Sequence, residues 1–233
     1  MTRNRESYDA NGDSFSELPE LENFVIGSKF YYKPTDRSKL TIDLNAVKEF
    51  RRGGNALDLP PYFTDITEQL DHNTYIVGAT YDLFSGDRAN KYSWYISSQN
   101  TKRKSYYGGL GGGRTKQDSL TAANAYGNTT DMAIVNGFQF SKNLNNRDMV
   151  VIGAENQYNK VDDEILGYSR KINQRVNSLG FYGQYEWKPL PVLTTLIGGR
   201  FDYISVNGTY DLADIHREST IQTGVFSPRF TLM

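Results

Sequence analysis

Positive and aromatic side chains gather near the ends of the segments in which apolar and polar residues alternate. Arg51 and Arg52 are adjacent, and further basic residues lie at 102–104 and 170–171. The aromatic residues that accompany them are Tyr62, Phe63, Tyr106 and Tyr107. Guanidinium groups beside aromatic rings can attract and hold an anionic ligand, and added salt weakens that attraction. The alternative interpretation is that these cations pair with the phosphates of lipopolysaccharide or with acidic neighbours.

A second group of side chains has the chemistry of a calcium site. Asp162, Asp163 and Glu164 form an acidic cluster, and Asp58 and Asp65 lie in an earlier polar stretch. Calcium prefers roughly six to eight oxygen ligands, which carboxylates can supply. The spacing lacks the Asp-x-Asp-x-Asp-Gly pattern, so solvated loop charge is the other interpretation.

The motifs of common enzymes are incomplete in this sequence. Residues 108–115 match a phosphate-binding loop, except that Arg114 occupies the lysine position. Such a loop opens a helix, and the sequence predicts no convincing helix there, because the best candidate, 118–125, is short. His72 and His216 have no metal-binding spacing, and there is no Gly-x-Ser-x-Gly elbow. The sequence indicates a protein that is not an enzyme, with a barrel enzyme as a remote alternative.

The composition excludes several classes of protein. The chain has 233 residues, a formal net charge of −1 and no cysteine, which excludes a disulfide scaffold and a cysteine-ligated zinc site. A near-neutral charge argues against a nucleic-acid partner bound through a basic surface. The mean hydropathy of −0.60 is typical of a soluble protein. The 17 tyrosines and 21 glycines are not, since tyrosine favours sheet surfaces where one end of the ring is wet.

Alternation with a period of two residues is the main structural signal. In 40–46, for example, Leu40, Ile42 and Leu44 share one face while Thr41 and Asp43 share the other. The same pattern predicts nine strands, at 22–34, 37–51, 68–84, 90–104, 130–143, 148–160, 175–188, 192–206 and 220–233.

The connections between these strands alternate strictly between short and long. Short turns are predicted at 34–37, 85–89, 144–147 and 189–191, and long loops at 52–67, 105–129, 161–174 and 207–219. In an up-and-down sheet the short turns then share one end and the long loops the other. Outer-membrane β-barrels have this asymmetry. The sequence therefore predicts an all-β fold, an antiparallel up-and-down segment of a transmembrane β-barrel, with a soluble β-domain that binds sugar or lipid as an alternative.

The strand count and the chain ends favour a segment of a longer barrel. Bacterial barrels have an even number of strands, and residues 1–8 have no apolar core of the kind that a secretory signal needs. We expect 1–21 to be an outer loop, 22–233 to be barrel wall, and a plug domain to be absent.

Several short phrases resemble the barrel of TonB-dependent outer-membrane receptors from Bacteroides-like bacteria, in the group described as siderophore or cobalamin receptors. The phrases lie at loops and strand ends: 49–55, 57–61, 65–70, 105–109, 163–168 and 226–229.

The resemblance implies part of a 22-stranded barrel in the cell outer membrane, surrounded by membrane lipid and lipopolysaccharide. It implies import of a ferric siderophore or cobalamin, captured by outer loops, and coupling to the TonB complex through a plug that is missing here. Some cobalamin receptors hold calcium in acidic outer loops, so the resemblance is compatible with a loop calcium site. A passive porin-like barrel is the nearest alternative.

Overall fold

The computed structural model describes residues 2–4, 7–111, 113–144 and 147–233, and these form one antiparallel sheet in chain order. Its strands are β1 (Thr2–Asn4), β2 (Glu20–Thr35), β3 (Ser38–Gly54), β4 (Thr67–Phe84), β5 (Asn90–Gly108), β6 (Tyr126–Leu144), β7 (Asp148–Ile165), β8 (Arg170–Leu190), β9 (Leu193–Leu212) and β10 (Ile215–Leu232). The sheet is not closed: within the described residues, β1 and β10 have a neighbour on one side only. Among the same residues, no helix is long and apolar enough to cross a membrane.

The nine predicted strands are confirmed as β2 to β10. The sequence does not predict β1, which lies inside 1–21, the stretch expected to be an outer loop. β1 pairs with residues 21–23. Residues 7–19 of that stretch form a loop with an isolated bridge between Tyr8 and Leu18, whereas residues 1, 5 and 6 lie outside the described part. In the predicted turn at 144–147, residues 145 and 146 also lie outside it.

Two of the predicted long loops are wrong, because the strands continue through them. β7 and β8 remain paired up to Ile165 and Arg170, and β9 and β10 up to Leu212 and Ile215, which leaves connections of 166–169 and 213–214. The prediction ended each strand where apolar side chains ended. Ladder hydrogen bonds join backbone groups, however, and persist where the alternation of apolar and polar side chains no longer marks the strand.

The ends of the sheet differ in structure, and we name them by their connections. The turn end carries the short turns, including 85–89 and 191–192. The loop end carries connections 55–66 and 109–125, together with the two strand-extended hairpins.

One face of the sheet carries a continuous apolar surface, which we call the apolar band; this side is the band face. Its central row follows the pairing register across nine strands: Tyr32, Leu40, Tyr81, Trp94, Phe138, Ala154, Phe181, Phe201 and Phe226. The side chains are paired across strands, with ring centroids 6.0 Å apart for Tyr81 and Trp94 and 5.2 Å for Trp94 and Phe138. Five of the nine are exposed, for example Phe181 by 53%, and the other four are half-buried. An exposed apolar surface that extends across nine strands needs an apolar surrounding.

The opposite side, the polar face, is held by a network of charged and phenolic groups. Arg200 donates to Glu155 at 3.1 Å and forms an ion pair with Asp202 at 2.8 Å. The Tyr95 hydroxyl donates to Glu155 at 2.7 Å, and the Tyr182 hydroxyl donates to a Gln139 oxygen at 3.0 Å. Because every member has a hydrogen-bond partner, the network ties β5 to β9 together on this face.

Glycines let the tyrosine rings of this network lie flat on the sheet. Tyr95 is paired with Gly137 and Tyr182 with Gly153, and a Cβ atom on either glycine would overlap the facing ring. The joint excess of tyrosine and glycine in the composition thus has a structural cause at these two pairs.

We expect Gly153→Ala to displace the Tyr182 ring, because the added methyl group has no room. Overpacking of this kind costs about 1–3 kcal/mol, so the midpoint of urea unfolding of the detergent-solubilised protein should fall. Gly78→Ala is the matched control, since its Cβ meets nothing closer than 3.9 Å on the same face. Equal midpoints for the two variants would contradict this packing.

Candidate functional site

Three short helical elements cover the loop end of the sheet. They are a 3-10 turn at Pro61–Phe63, helix α1 at Lys116–Ala123 and a 3-10 turn at Leu166–Tyr168, and α1 contacts both turns. Ala122 of α1 is buried, with 1% of its surface exposed. The connections at this end therefore form a packed layer.

Helix α1 corrects the prediction that no convincing helix follows residues 108–115. It begins with a capping box, in which the Thr115 hydroxyl accepts from the Asp118 backbone N–H at 3.1 Å. The Asp118 carboxylate accepts in turn from the Thr115 hydroxyl at 2.7 Å and from the Thr115 backbone N–H at 2.8 Å, and these two hydrogen bonds to the carboxylate lower the pKa of Asp118. Asp118 therefore occupies the helix start that a phosphate would need. Residue 112 of this stretch lies outside the described part.

The two adjacent arginines lie on opposite faces, as strand alternation requires. Arg51 is on the polar face, where it lines a recess of about 330 Å³ with Phe15, Glu68 and Leu70. Arg52 is on the band face, where it donates to the carbonyl oxygen of Leu59. Arg51 is exposed whereas Arg52 is half-buried, so Arg51 is the one of this pair that presents its charge to solvent.

The four aromatic candidates also separate into different environments. Tyr106 is fully buried, with its ring 4.9 Å from that of Tyr126 in an edge-on arrangement. The rings of Tyr62 and Phe63 are tilted by 52° with their centroids 4.7 Å apart, and Phe63 is 58% exposed. Tyr107 is exposed on the polar face, paired in register with Glu68. Tyr107 and Arg51 therefore share a face and an end of the sheet, whereas Tyr106 is part of the packing.

A row of polar residues on the polar face, just inside this end, was missed by the sequence analysis. The pairing register runs from Glu49 through His72, Arg103 and Thr129 to Asp163. Arg103 donates to the Thr129 hydroxyl at 3.1 Å, and that hydroxyl donates to Asp163 at 2.5 Å. The alternation of side chains along each strand could have identified these positions, since each of them falls on the polar side of its strand.

The acidic cluster lies on strand β7 and not at the start of a loop. Asp163 is on the polar face, 8% exposed, and forms an ion pair with Arg170 at 3.0 Å. Asp162 and Glu164 are on the band face, and Asp162 forms an ion pair with Lys160 at 2.5 Å. The structure does not bring the three carboxylates together, and their role in calcium binding stays a prediction.

Other acidic residues of the loop end are engaged in different ways. Asp65, in the connection 55–66, forms an ion pair with Arg114 at 3.1 Å. Within the described part of the chain, the one group of three carboxylates close enough to share an ion is Asp9, Asp13 and Glu17. Asp9 already accepts from backbone N–H groups of its own loop, at 2.7 and 2.8 Å.

The two histidines are far apart in the sheet, on β4 and β10. His216 lies in the strand-extended hairpin at the loop end, where its hydrogen bond to Asp211 at 2.5 Å raises its pKa. His72 belongs to the polar row. They do not form a paired metal site.

Comparisons with known proteins match this geometry. A family model described as TonB dependent receptor-like, beta-barrel, matches residues 8–233. The alcaligin outer-membrane receptor FauA from Bordetella pertussis superposes with a TM-score of 0.70 at 12% identity, over 94% of this chain and 33% of that one. The unliganded ferric citrate transporter FecA gives a TM-score of 0.62 at 10% identity, over 94% and 34%. No curated protein sequence matches significantly.

At these identities the two solved structures show a common fold only. The chain spans about a third of the length of each of them.

Proposed function

Since the chain belongs to the TonB-dependent receptor β-barrel family, we propose that it forms part of the wall of a receptor that binds a scarce nutrient and imports it. Barrels of this family lie in the outer membrane and serve nutrient uptake, not catalysis. The observation that carries the proposal is the apolar band, which crosses nine strands while the reverse face is polar. In a barrel of this kind the band faces lipid and the polar face lines the lumen.

The loop end then faces the cell exterior, as the long loops of outer-membrane barrels do. Arg51 and Tyr107 lie on the lumenal face of this end, beside the recess formed with Phe15 and Leu70. A cation, an aromatic ring and an apolar wall suit an anionic chelate that carries organic rings or chains. We therefore propose a ferric siderophore as the ligand; cobalamin is the second nutrient to test.

Energy for import is proposed to come from the TonB complex through a plug inside the barrel. The network of Arg200, Glu155 and Asp202 would then lie against that plug, next to a recess of about 520 Å³ that includes Gln139 and Arg229. A passive porin would need no such partner. Dependence on TonB therefore separates the two functions.

Deletion of the gene for the complete receptor should abolish uptake of one iron-loaded siderophore by the host. The uptake of radiolabelled ferric siderophores and of cobalamin would be measured with and without a TonB deletion. We expect the strain that lacks the receptor gene and the strain that lacks TonB to lose uptake of the same chelate. Uptake that persists in the TonB deletion would favour a porin, and uptake of every ligand unchanged after gene deletion would contradict the import function.

We expect Arg51→Gln to raise the half-saturation concentration for the transported chelate by about twofold to fivefold, because an exposed charge contact is worth up to about 1 kcal/mol. The dependence of uptake on salt should weaken at the same time. Arg37→Gln, at the turn end, is the control and should leave both values unchanged. An unaltered half-saturation concentration in Arg51→Gln would remove Arg51 from the binding site.

A further inference from the structure

The two strand-extended hairpins stand clear of the membrane. On β9 the last large side chain of the apolar band is Tyr203, and Tyr210 lies seven residues beyond it. Seven residues span about 23 Å along the strand at roughly 3.3 Å per residue, and about 16–19 Å along the membrane normal after tilt. The headgroup layer reaches only about 5–8 Å beyond the hydrocarbon core. The upper parts of β7 to β10 are therefore surrounded by water.

The inner side of these hairpins carries apolar side chains that no lipid can reach. This surface, which we call the hairpin wall, belongs to the polar face above the Arg200 network and consists of Ile172, Tyr210, Leu212, Ile215 and Arg217. Leu212 and Ile215 are register partners, exposed by 52% and 65%. Large apolar side chains grouped on a surface that faces water mark a place where a ligand or partner binds.

Charged side chains are few on this part of the polar face. Above the network, β7 to β10 carry three of them on this face: Asp163, Arg170 and Arg217. Asp163 forms its ion pair with Arg170 at 3.0 Å. These two charges compensate each other, and Arg217 has no such counterpart on its own face.

The acidic residues closest to Arg217 along its hairpin are turned elsewhere. Asp211 and Glu218 belong to the band face, where Asp211 is hydrogen-bonded to His216, and Asp214 lies in the connection 213–214. No carboxylate of the described residues is within ion-pair distance of the Arg217 guanidinium, and Arg217 is exposed. Its guanidinium can therefore bind an anion on the inner side of the hairpins.

The ring of Tyr210 lies flat against the sheet beside this arginine. A Cβ atom on Gly208 would overlap the hydroxyl oxygen and ring carbons of Tyr210, so one ring face rests over the backbone at Gly208. The other ring face is turned to the interior. Within the described part of the chain, Tyr210 has no aromatic neighbour in ring contact and no hydrogen bond to its hydroxyl. Since Arg217 is its register partner, an open ring face and an unpaired guanidinium lie side by side.

This combination suits a ligand that is both aromatic and anionic. A ligand ring can stack on the open face of Tyr210, and the planar donors of Arg217 can bind negatively charged oxygens. Catecholate chelates of iron have both features, because each of their rings carries the two anionic oxygens that hold the metal. A citrate chelate of iron has the charge without the rings.

We propose that the hairpin wall binds a ring of a ferric catecholate, with Tyr210 as the stacking surface and Arg217 as the anion-binding group. The proposal rests on the proposed function, which it deepens by naming the chemical class of the chelate. Tyr210 on β9 is four strands from Tyr107 on β5, about 19 Å along the sheet at roughly 4.8 Å per strand. The hairpin wall is therefore a second contact region, separate from the recess at Arg51.

The test uses the complete receptor, purified in detergent, with a synthetic iron tricatecholate and ferric citrate as probes. The unaltered receptor should bind the tricatecholate more tightly than ferric citrate. Tyr210→Leu should raise the Kd for the tricatecholate about twofold to tenfold, because stacking is lost while apolar volume is kept. Tyr210→Phe keeps the ring and should bind the tricatecholate as the unaltered receptor does.

Gly208→Ala tests the position of the ring without changing its chemistry. The added methyl group displaces the Tyr210 ring, so the Kd for the tricatecholate should rise by a similar factor. In a receptor that already carries Tyr210→Leu, Gly208→Ala should have no further effect, because the glycine acts only through the ring. Additive effects of the two substitutions would contradict that role.

Arg217→Gln tests the anion-binding group. It should raise the Kd for the tricatecholate about twofold to fivefold, as expected for an exposed charge contact, and should weaken the dependence of binding on salt. Lys171→Gln is the control, since it removes a cation from the residue next to Ile172 in β8 but on the band face. The control should bind the tricatecholate as the unaltered receptor does.

An unchanged affinity for the tricatecholate in both Tyr210→Leu and Arg217→Gln would overturn the proposal, and so would tighter binding of ferric citrate by the unaltered receptor. Uptake by cells tests import separately. TonB-dependent uptake of ferric citrate or cobalamin that Tyr210→Leu leaves unchanged, without binding of the tricatecholate, rejects the hairpin wall alone. Binding of the tricatecholate that depends on Tyr210, in a receptor that imports no ligand, rejects the import function alone.

Discussion

The need to pair every backbone N–H and C=O group within the membrane governs the rest of this structure. Hydrocarbon offers no hydrogen-bond partners, so the strands must stay in continuous register through the apolar layer. Their register is unbroken from β3 to β8 over the whole band. Once the register is fixed, the alternation of successive side chains along each strand assigns every one of them either to lipid or to the lumen. The apolar band and the polar network follow from that assignment.

The same constraint explains a composition that is rich in tyrosine and glycine but low in hydropathy. Apolar residues are needed only on half of each strand and only at band height. The other half carries groups such as Glu155 and Arg200, which satisfy one another. Glycines such as Gly137 and Gly153 give the tyrosine rings room across the neighbouring strand. Above the band the outward side also meets water, so polar residues such as Asn177 and Ser205 replace apolar ones on the band face of β8 and β9.

The sequence predicts the fold better than the site, for reasons that specific residues show. Alternation identifies nine strands because one face of each is apolar. On β9 that face becomes polar beyond Tyr203, at Ser205 and Asn207, so the pattern no longer marks the strand although the pairing continues. Parity also separates Arg51 from Arg52, although adjacency in sequence suggested one cluster. The burial of Tyr106 and the start of α1 at Thr115 depend on loop packing that no periodic pattern encodes.

The orientation of the two faces is the central claim, and spin labels on β5 test it most directly. Because the chain has no cysteine, single cysteines can be placed in turn at 92–98 of the complete receptor, with any other cysteine replaced, and labelled with a nitroxide. The ratio of relaxation by dissolved oxygen to relaxation by a water-soluble nickel chelate would be measured in membranes. We predict a period of two, with maxima at Tyr92, Trp94 and Ile96. A flat profile, or maxima at 93, 95 and 97, would contradict the assignment of the apolar band to lipid.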